Sequence, residues 1–258
     1  MLIDSHCHLD FEELNKDLEL VVQRALKLDV AVLQTICTQI SKFKLIYEIA
    51  EKYSHIYCSV GNHPLYLKEE GIIDYFSILK FCHLPKVIGV GETGLDYYHS
   101  NFNKAVQQKS FIEHIKASQQ SGMPIIIHTR SADDDTVGII KEQMQEKLFT
   151  GVIHCFTASR ELADACINMG LYISASGILT FKNAIDIQQT FKEIPEDRII
   201  IETDAPFLAP SPFRGKINEP SYLTHTALFL ANLRKKSFQE ISKITTDNFF
   251  KLFTRVAI

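Results

Sequence analysis

The chain has 258 residues, 46% hydrophobic and 22% charged, with a formal net charge of −4. These values exclude a disordered chain and predict a sizeable core within a single domain spanning residues 1–258. A slightly acidic, mixed surface also excludes a global basic footprint, so any grip on nucleic acid must be local.

In chain order, the first predicted strand is Leu2–His8. Leu14, Leu18, Val21, Val22, Ala25 and Leu28 then fall on one face of a helix. Val30–Cys37 reads as the second strand and Phe43–Tyr53 as a helix. Ile56–Val60 and Val87–Glu92 are the third and fourth strands, and Phe102–Ser121 is the next helical pattern. Ile125–His128, Val152–Cys155, Leu171–Ala175 and Ile199–Thr203 complete the strands. Helices Thr136–Lys147, Glu161–Met169, Asn183–Phe191 and Thr224–Leu233 alternate with them. Runs such as "PIIIH" and "RIIIE" mark parallel strands buried on both faces. Eight strand–helix alternations predict an α/β fold, the closed (β/α)8 TIM barrel. One extra C-terminal helix, Phe238–Phe253, turns Ile241, Ile244, Phe249 and Leu252 towards the body. The irregular stretch Ala205–Tyr222 holds four prolines, and a loop that long in a compact domain is usually functional.

No run approaches the roughly 18 apolar residues of a membrane span. The N-terminus lacks the basic-then-apolar order of a secretory signal. Cys7, Cys37, Cys58, Cys82, Cys155 and Cys166 include no C-x-x-C pair, which predicts reduced, mostly buried thiols of a cytoplasmic protein. Neither a membrane nor an obligate protein partner is expected.

The strand ends carry the chemistry. His6 and His8 are two apart, so they project together while Cys7 points away. Glu92, His128, His154 and Asp204 likewise follow apolar runs, where a barrel places its active site. A lone histidine there is more often a hydrogen-bonded core residue than a ligand. Six suitable residues at the ends of five strands instead match a binuclear divalent metal site. His63, before Pro64, points towards the site as a phosphate contact, and Arg130 suits bidentate phosphate binding. Glu202, two before Asp204, orients a ligand or a water. Asp96 either bonds a ligand or caps a turn. Arg214 and Lys216 offer further contacts to a polyanion. Cys7 and Cys155 alternate away from the site, and His55, His83, His99, His114 and His225 have no supporting context.

"DSHCHLD", "GNHP", "GETGLDYY", "PIIIHTR", "HCF", "ETDAPFLAP" and "RGKINEP" together resemble the signature blocks of the TatD family of metal-dependent deoxyribonucleases, amidohydrolase-type barrels. The blocks run in family order from residue 4 to residue 220. Asn62 and Thr93 depart from the residues common in that family, without removing a candidate ligand. The resemblance implies two divalent ions (Zn, Mg, Mn or Co) held by His6, His8, Glu92, His128, His154 and Asp204. Glu92 would bridge them, with His6, His8 and Asp204 on one side and His128 and His154 on the other. It implies hydrolysis of DNA phosphodiesters by an activated bridging water. Asp204 would be the base, with Glu92, His63, Arg130 and Glu202 completing the catalytic set. The expected substrate is single-stranded DNA or frayed 3' ends. Two other readings stand beside it: an amidohydrolase acting on a small amide or lactone at the same site, and a non-catalytic metal-binding scaffold.

Overall fold

The computed structural model describes residues 1–99 and 103–256. Eight strands form one parallel sheet in sequence order. They are β1 (Leu2–Cys7), β2 (Val30–Thr35), β3 (Ile56–Val60), β4 (Val87–Asp96), β5 (Ile125–Arg130), β6 (Gly151–Ile153), β7 (Tyr172–Ala175) and β8 (Ile199–Ile201). The two edges meet: Cys7 bridges to Ala205, the His8 N–H donates to the Ala205 carbonyl, and the Asp204 N–H donates to that of His6. Closure satisfies backbone groups that an open edge would leave unpaired. The predicted (β/α)8 barrel is the observed fold.

The strands are rich in Ile and Val because both faces are buried. Inside the barrel, one side chain from each strand forms a single apolar layer: Ile3, Val32, Tyr57, Ile88, Ile126, Val152, Tyr172 and Ile200. Phe249 and Leu252 of the C-terminal helix Phe238–Leu252, with Phe253 just beyond it, pack into the same cluster and close the floor. Ser237 starts that helix with a reciprocal cap, accepting from the Glu240 N–H while Glu240 accepts from the Ser237 N–H. Two residues above the apolar layer, on the same inward face, stand His128, His154 and Glu202.

The strand ends differ from expectation where the site lies. β1 stops at Cys7 and β6 at Ile153, so His8 and His154 each stand one residue into the following turn. β8 stops at Ile201, leaving Glu202 and Asp204 in a loop, with Asp204 in the left-handed region at φ 57°. β4 instead runs on to Asp96, which puts Glu92 in mid-strand. The pairing register shifts between Asp4 and Cys7 and again between Val90 and Thr93, the irregularities by which strands re-aim side chains. Gly94 has φ +133°, and a Cβ there would lie 2.0 Å from the His128 carbonyl oxygen. Only glycine lets β4 continue against β5 at that point.

Among the helices, Tyr75–Cys82 was not expected between β3 and β4. At eight residues it is too short for a clear period, although Asp74 caps it by accepting from the Ser77 N–H. The face drawn from Leu14 to Leu28 splits into helices Glu12–Asn15 and Leu18–Lys27, and Leu28 is 48% exposed rather than buried. The helix expected from Phe102 begins at a position outside the described residues and is observed over Lys104–Ser121. Among the described residues, no helix is long and apolar enough to cross a membrane. All six cysteines are free, and five are buried.

Candidate metal centre

β1, β4, β5, β6 and the turn after β8 deliver His6, His8, Glu92, His128, His154 and Asp204 to one end of the barrel. Glu92 lies between two groups. Its Oε1 faces His154 Nε2 at 2.7 Å and His128 Nδ1 at 3.2 Å. Its Oε2 faces His6 Nε2 at 3.3 Å. That same nitrogen is 3.7 Å from Asp204 Oδ1, which lies 3.3 Å from His8 Nε2. The rings of His6 and His154 stack at 4.0 Å between the groups. Three overlapping sets bring one donor atom from each residue within 4.8 Å of the others: His6, His8 and Glu92; His63, Glu92 and His128; His6, His154 and Glu202.

Burial is near complete, so this charge needs a compensating partner. Burial pushes the Glu92 carboxyl up, yet His154, His63 and His6 together outweigh it and hold the group well below the usual range. Burial likewise pushes His154 down, while Glu92 and Glu202 lift it well above its ordinary value. A negative field that holds a proton on an imidazole also holds a cation in its place. The donor set fits one. His128 Nε2–H donates to Asp96 Oδ2 at 3.1 Å, and His154 Nδ1–H donates to Glu202 Oε1 at 3.3 Å. Their other nitrogens then face each other at 3.3 Å with lone pairs, beside Glu92 Oε1. Converging lone pairs of that kind call for a divalent ion. His6 Nδ1 and His8 Nδ1 are buried with no hydrogen-bond partner among the described residues, as is Glu202 Oε2.

His63 behaves differently. Its Nδ1 accepts the Leu65 N–H at 3.1 Å, so the proton sits on Nε2, 3.2 Å from Glu92 Oε1. A nitrogen carrying a proton is a donor, not a ligand. Burial lowers this imidazole to about 4, which keeps it neutral.

The surrounding residues are partly ones the sequence reading passed over. Asp96 does both tasks open to it: Oδ2 receives His128, while Oδ1 accepts the N–H groups of Tyr98 and His99. His99, given no context from sequence, has Nδ1 3.0 Å from Asp96 Oδ2. His114 was likewise passed over. Its Nδ1–H donates to the Ser110 carbonyl and its Nε2 accepts the Asn62 N–H, which pins the loop bearing His63. Asp4 escaped notice although it directly precedes the S-H-x-H run. It is fully buried and accepts the N–H groups of His6 and Thr203 and the Thr203 hydroxyl, tying the end of β1 to the turn after β8.

These groups open on a cavity of about 410 Å³ lined by His8, His63, Glu92, His128, His154 and Asp204. Arg130 joins the lining; its Nη1 donates to the Thr157 hydroxyl and its guanidinium lies 5.2 Å from the centre of the Tyr98 ring. Cys155, expected to point away, also lines the cavity because the chain turns there with φ 42°. Glu202 lies beneath the cavity, with Oε1 accepting the Cys155 N–H at 2.7 Å. Arg214 and Lys216 are not brought in. Both are exposed, stacked over Phe181 and Phe213 respectively, and neither lines the cavity.

A closed parallel barrel with a carboxylate-centred histidine cluster at the C-terminal mouth is the frame of a metal-dependent hydrolase. The family model described as TatD related DNase matches residues 3–254, and the chain belongs to that family. It is 43% identical over 255 residues to a metal-dependent hydrolase of Buchnera aphidicola subsp. Baizongia pistaciae, covering 98% of this chain and 96% of that one. It is 41% identical to the metal-dependent hydrolase YabD of Bacillus subtilis, covering 98% and 99%. Among solved structures, the TatD homologue YjjV of Escherichia coli K12 superposes with a TM-score of 0.90 at 27% identity, covering 98% of each chain.

Proposed function

We propose that this hydrolase cleaves phosphodiester bonds of DNA, acting as an exonuclease on single-stranded or frayed ends, 3' ends among them. One observation carries the reading: the histidine–carboxylate cluster, the His63 Nε2–H and the Arg130 guanidinium share one cavity. Cations with two fixed donors beside them suit a polyanionic group better than a neutral amide or lactone. The size of the cavity and its closed floor favour a strand end over the interior of a duplex. Free, buried cysteines agree with a cytoplasmic setting.

Two divalent cations, Zn, Mg, Mn or Co, would be held by His6, His8 and Asp204 on one side and by His128 and His154 on the other. Glu92 would be shared between them. When bound, they supply Lewis-acid polarisation and lower the pKa of a coordinated water. Asp204 accepts the proton of the attacking water, placed for this at the cavity wall with His8 against its Oδ1. His63 donates its Nε2 proton in a hydrogen bond to a non-bridging phosphate oxygen as negative charge builds there. Arg130 fixes the same or the adjoining phosphate. Asp96 and Glu202 act through His128 and His154, fixing the orientation and tautomer of each.

The test pairs end-labelled single-stranded DNA with a panel of amides and lactones, with and without chelator. Metal-dependent shortening of the DNA is the expected result; turnover of small carbonyl compounds alone would overturn the reading. In a Glu92→Ala variant, metal content by elemental analysis and nuclease activity should fall together.

A further inference from the structure

The cavity is divided by chemistry. The end of β5 and the loops after β4 and β6 contribute polar groups, Arg130, His99 and Thr157. On the other flank stand Phe11, from the loop after β1, and Phe207, from the loop after β8. Each ring is tied to the metal cluster by its backbone. Phe11 is three residues beyond His8 and its N–H donates to the His8 carbonyl; Phe207 is three beyond Asp204 and its N–H donates to the Asp204 carbonyl. The Phe11 ring lies 4.9 Å from that of His8, and Phe207 stands 6.1 Å from the same ring. The two phenyl rings meet at 90° with centroids 5.6 Å apart, a T-shaped contact in which they do not stack face on face. Phe207 is 47% exposed. An aromatic face left open beside a buried charged cluster costs apolar hydration unless a ligand covers it.

We infer that Phe11 and Phe207 form a stacking slot for the base of the nucleotide whose phosphodiester is cleaved. This rests on the nuclease reading above and adds the element that binds the base. A strand end carries the split that the cavity presents: a flat apolar base on one flank and an anionic backbone on the other. Perpendicular rings receive a planar group face-on with one and edge-on with the other. An aliphatic acyl chain gains nothing from that geometry. Stacking on a phenyl face tolerates every base, so the slot confers a requirement for a base without a sequence preference.

The chain contains no tryptophan, so Phe207→Trp introduces a single indole reporter. Metal-loaded Phe207→Trp protein is titrated with a short oligothymidylate whose terminal linkages are phosphorothioates, to slow cleavage. The comparison strand is identical except for abasic nucleotides at both ends. The base-ended strand should quench the indole, and the abasic-ended strand should need at least about fivefold more material for the same effect, the lower bound of one lost stack. Equal quenching by the two strands, or none while fluorescence anisotropy of a dye-labelled strand reports binding, overturns the slot. In parallel, Phe207→Ala should raise KM for base-ended DNA by about 5- to 150-fold. It should move KM for abasic-ended DNA less than twofold and leave metal content unchanged. Phe207→Leu, which keeps bulk without a π-face, should match Phe207→Ala; wild-type KM in either variant rejects stacking. If the wild-type protein leaves every strand intact, the nuclease reading falls and the slot with it. If it trims base-ended and abasic-ended strands equally, the nuclease reading stands and the slot alone falls.

Discussion

At the residue scale, the proton on His63 separates donor from ligand. His63→Gln should retain full metal content by elemental analysis while kcat drops about 10²–10³-fold, the cost of one lost transition-state donor. A loss of metal would instead make His63 a ligand. Asp96→Asn tests the support beneath His128. Its carboxylate fixes that ring, so metal affinity measured against a competing chromogenic chelator should weaken by about 10–100-fold. His114 makes a different prediction, about stability. Burial lowers its folded pKa from 6.5 to about 4. The unfolded chain therefore binds the extra proton first, and stability rises with pH across that interval. The contribution is complete above pH 6.5 and is lost as pH falls towards 4. His114→Gln should flatten that part of the unfolding profile by on the order of 3 kcal/mol, read by urea denaturation at each pH. The sequence pointed to His63 as a phosphate contact and to Asp96 as partner of a ligand or cap of a turn, but the parts played by His114 and Asp4 were not visible in it. The His114–Asn62 contact spans 52 residues and the Asp4–Thr203 contact spans 199, and neither leaves a local pattern.

At the element scale, the fourth strand decides where the Glu92 carboxylate points. The apolar run Val87–Val90 marks a strand plainly, and the polar residue after it marks a site. Its continuation to Asp96 is hidden because Gly91, Gly94 and Asp96 are residue types depleted in strands. The pairing is set by β5, with Asp96 opposite Arg130, and by an approach too close for any Cβ. Gly94→Ala should therefore cost roughly 2–6 kcal/mol, combining backbone strain with overpacking. Urea unfolding in chelator would measure it, and an effect below about 1 kcal/mol, the level of an unstrained glycine-to-alanine change, would contradict the close approach. The cluster residues were legible for the opposite reason. His128 and His154 stand two residues beyond Ile126 and Val152 of the apolar layer, so the alternation that builds the core also aims them, whereas His6, three beyond Ile3, is turned inward across the register shift between Asp4 and Cys7. The helix Tyr75–Cys82 and the break at Lys16–Asp17 were not legible, because helices this short take their boundaries from tertiary packing.

At the scale of the whole molecule, the eightfold alternation and the closed barrel were written in the sequence, while the plugging of its floor was not. Phe253 is 1% exposed and sits against the apolar layer, so Phe253→Ala should cost about 3–5 kcal/mol in chelator while leaving KM for DNA unchanged. A change in KM would mean that floor and mouth are coupled. The plug also fixes the traffic of the enzyme. A tube open at both ends would let a polymer feed through and shed fragments from the far side. This vessel is filled by its apolar layer and closed beneath by aromatic side chains, so whatever enters must back out through the opening by which it came. Under the proposed nuclease action, each round of cutting must then clear the released piece past the incoming chain, and accumulating product would compete with fresh substrate for the one doorway.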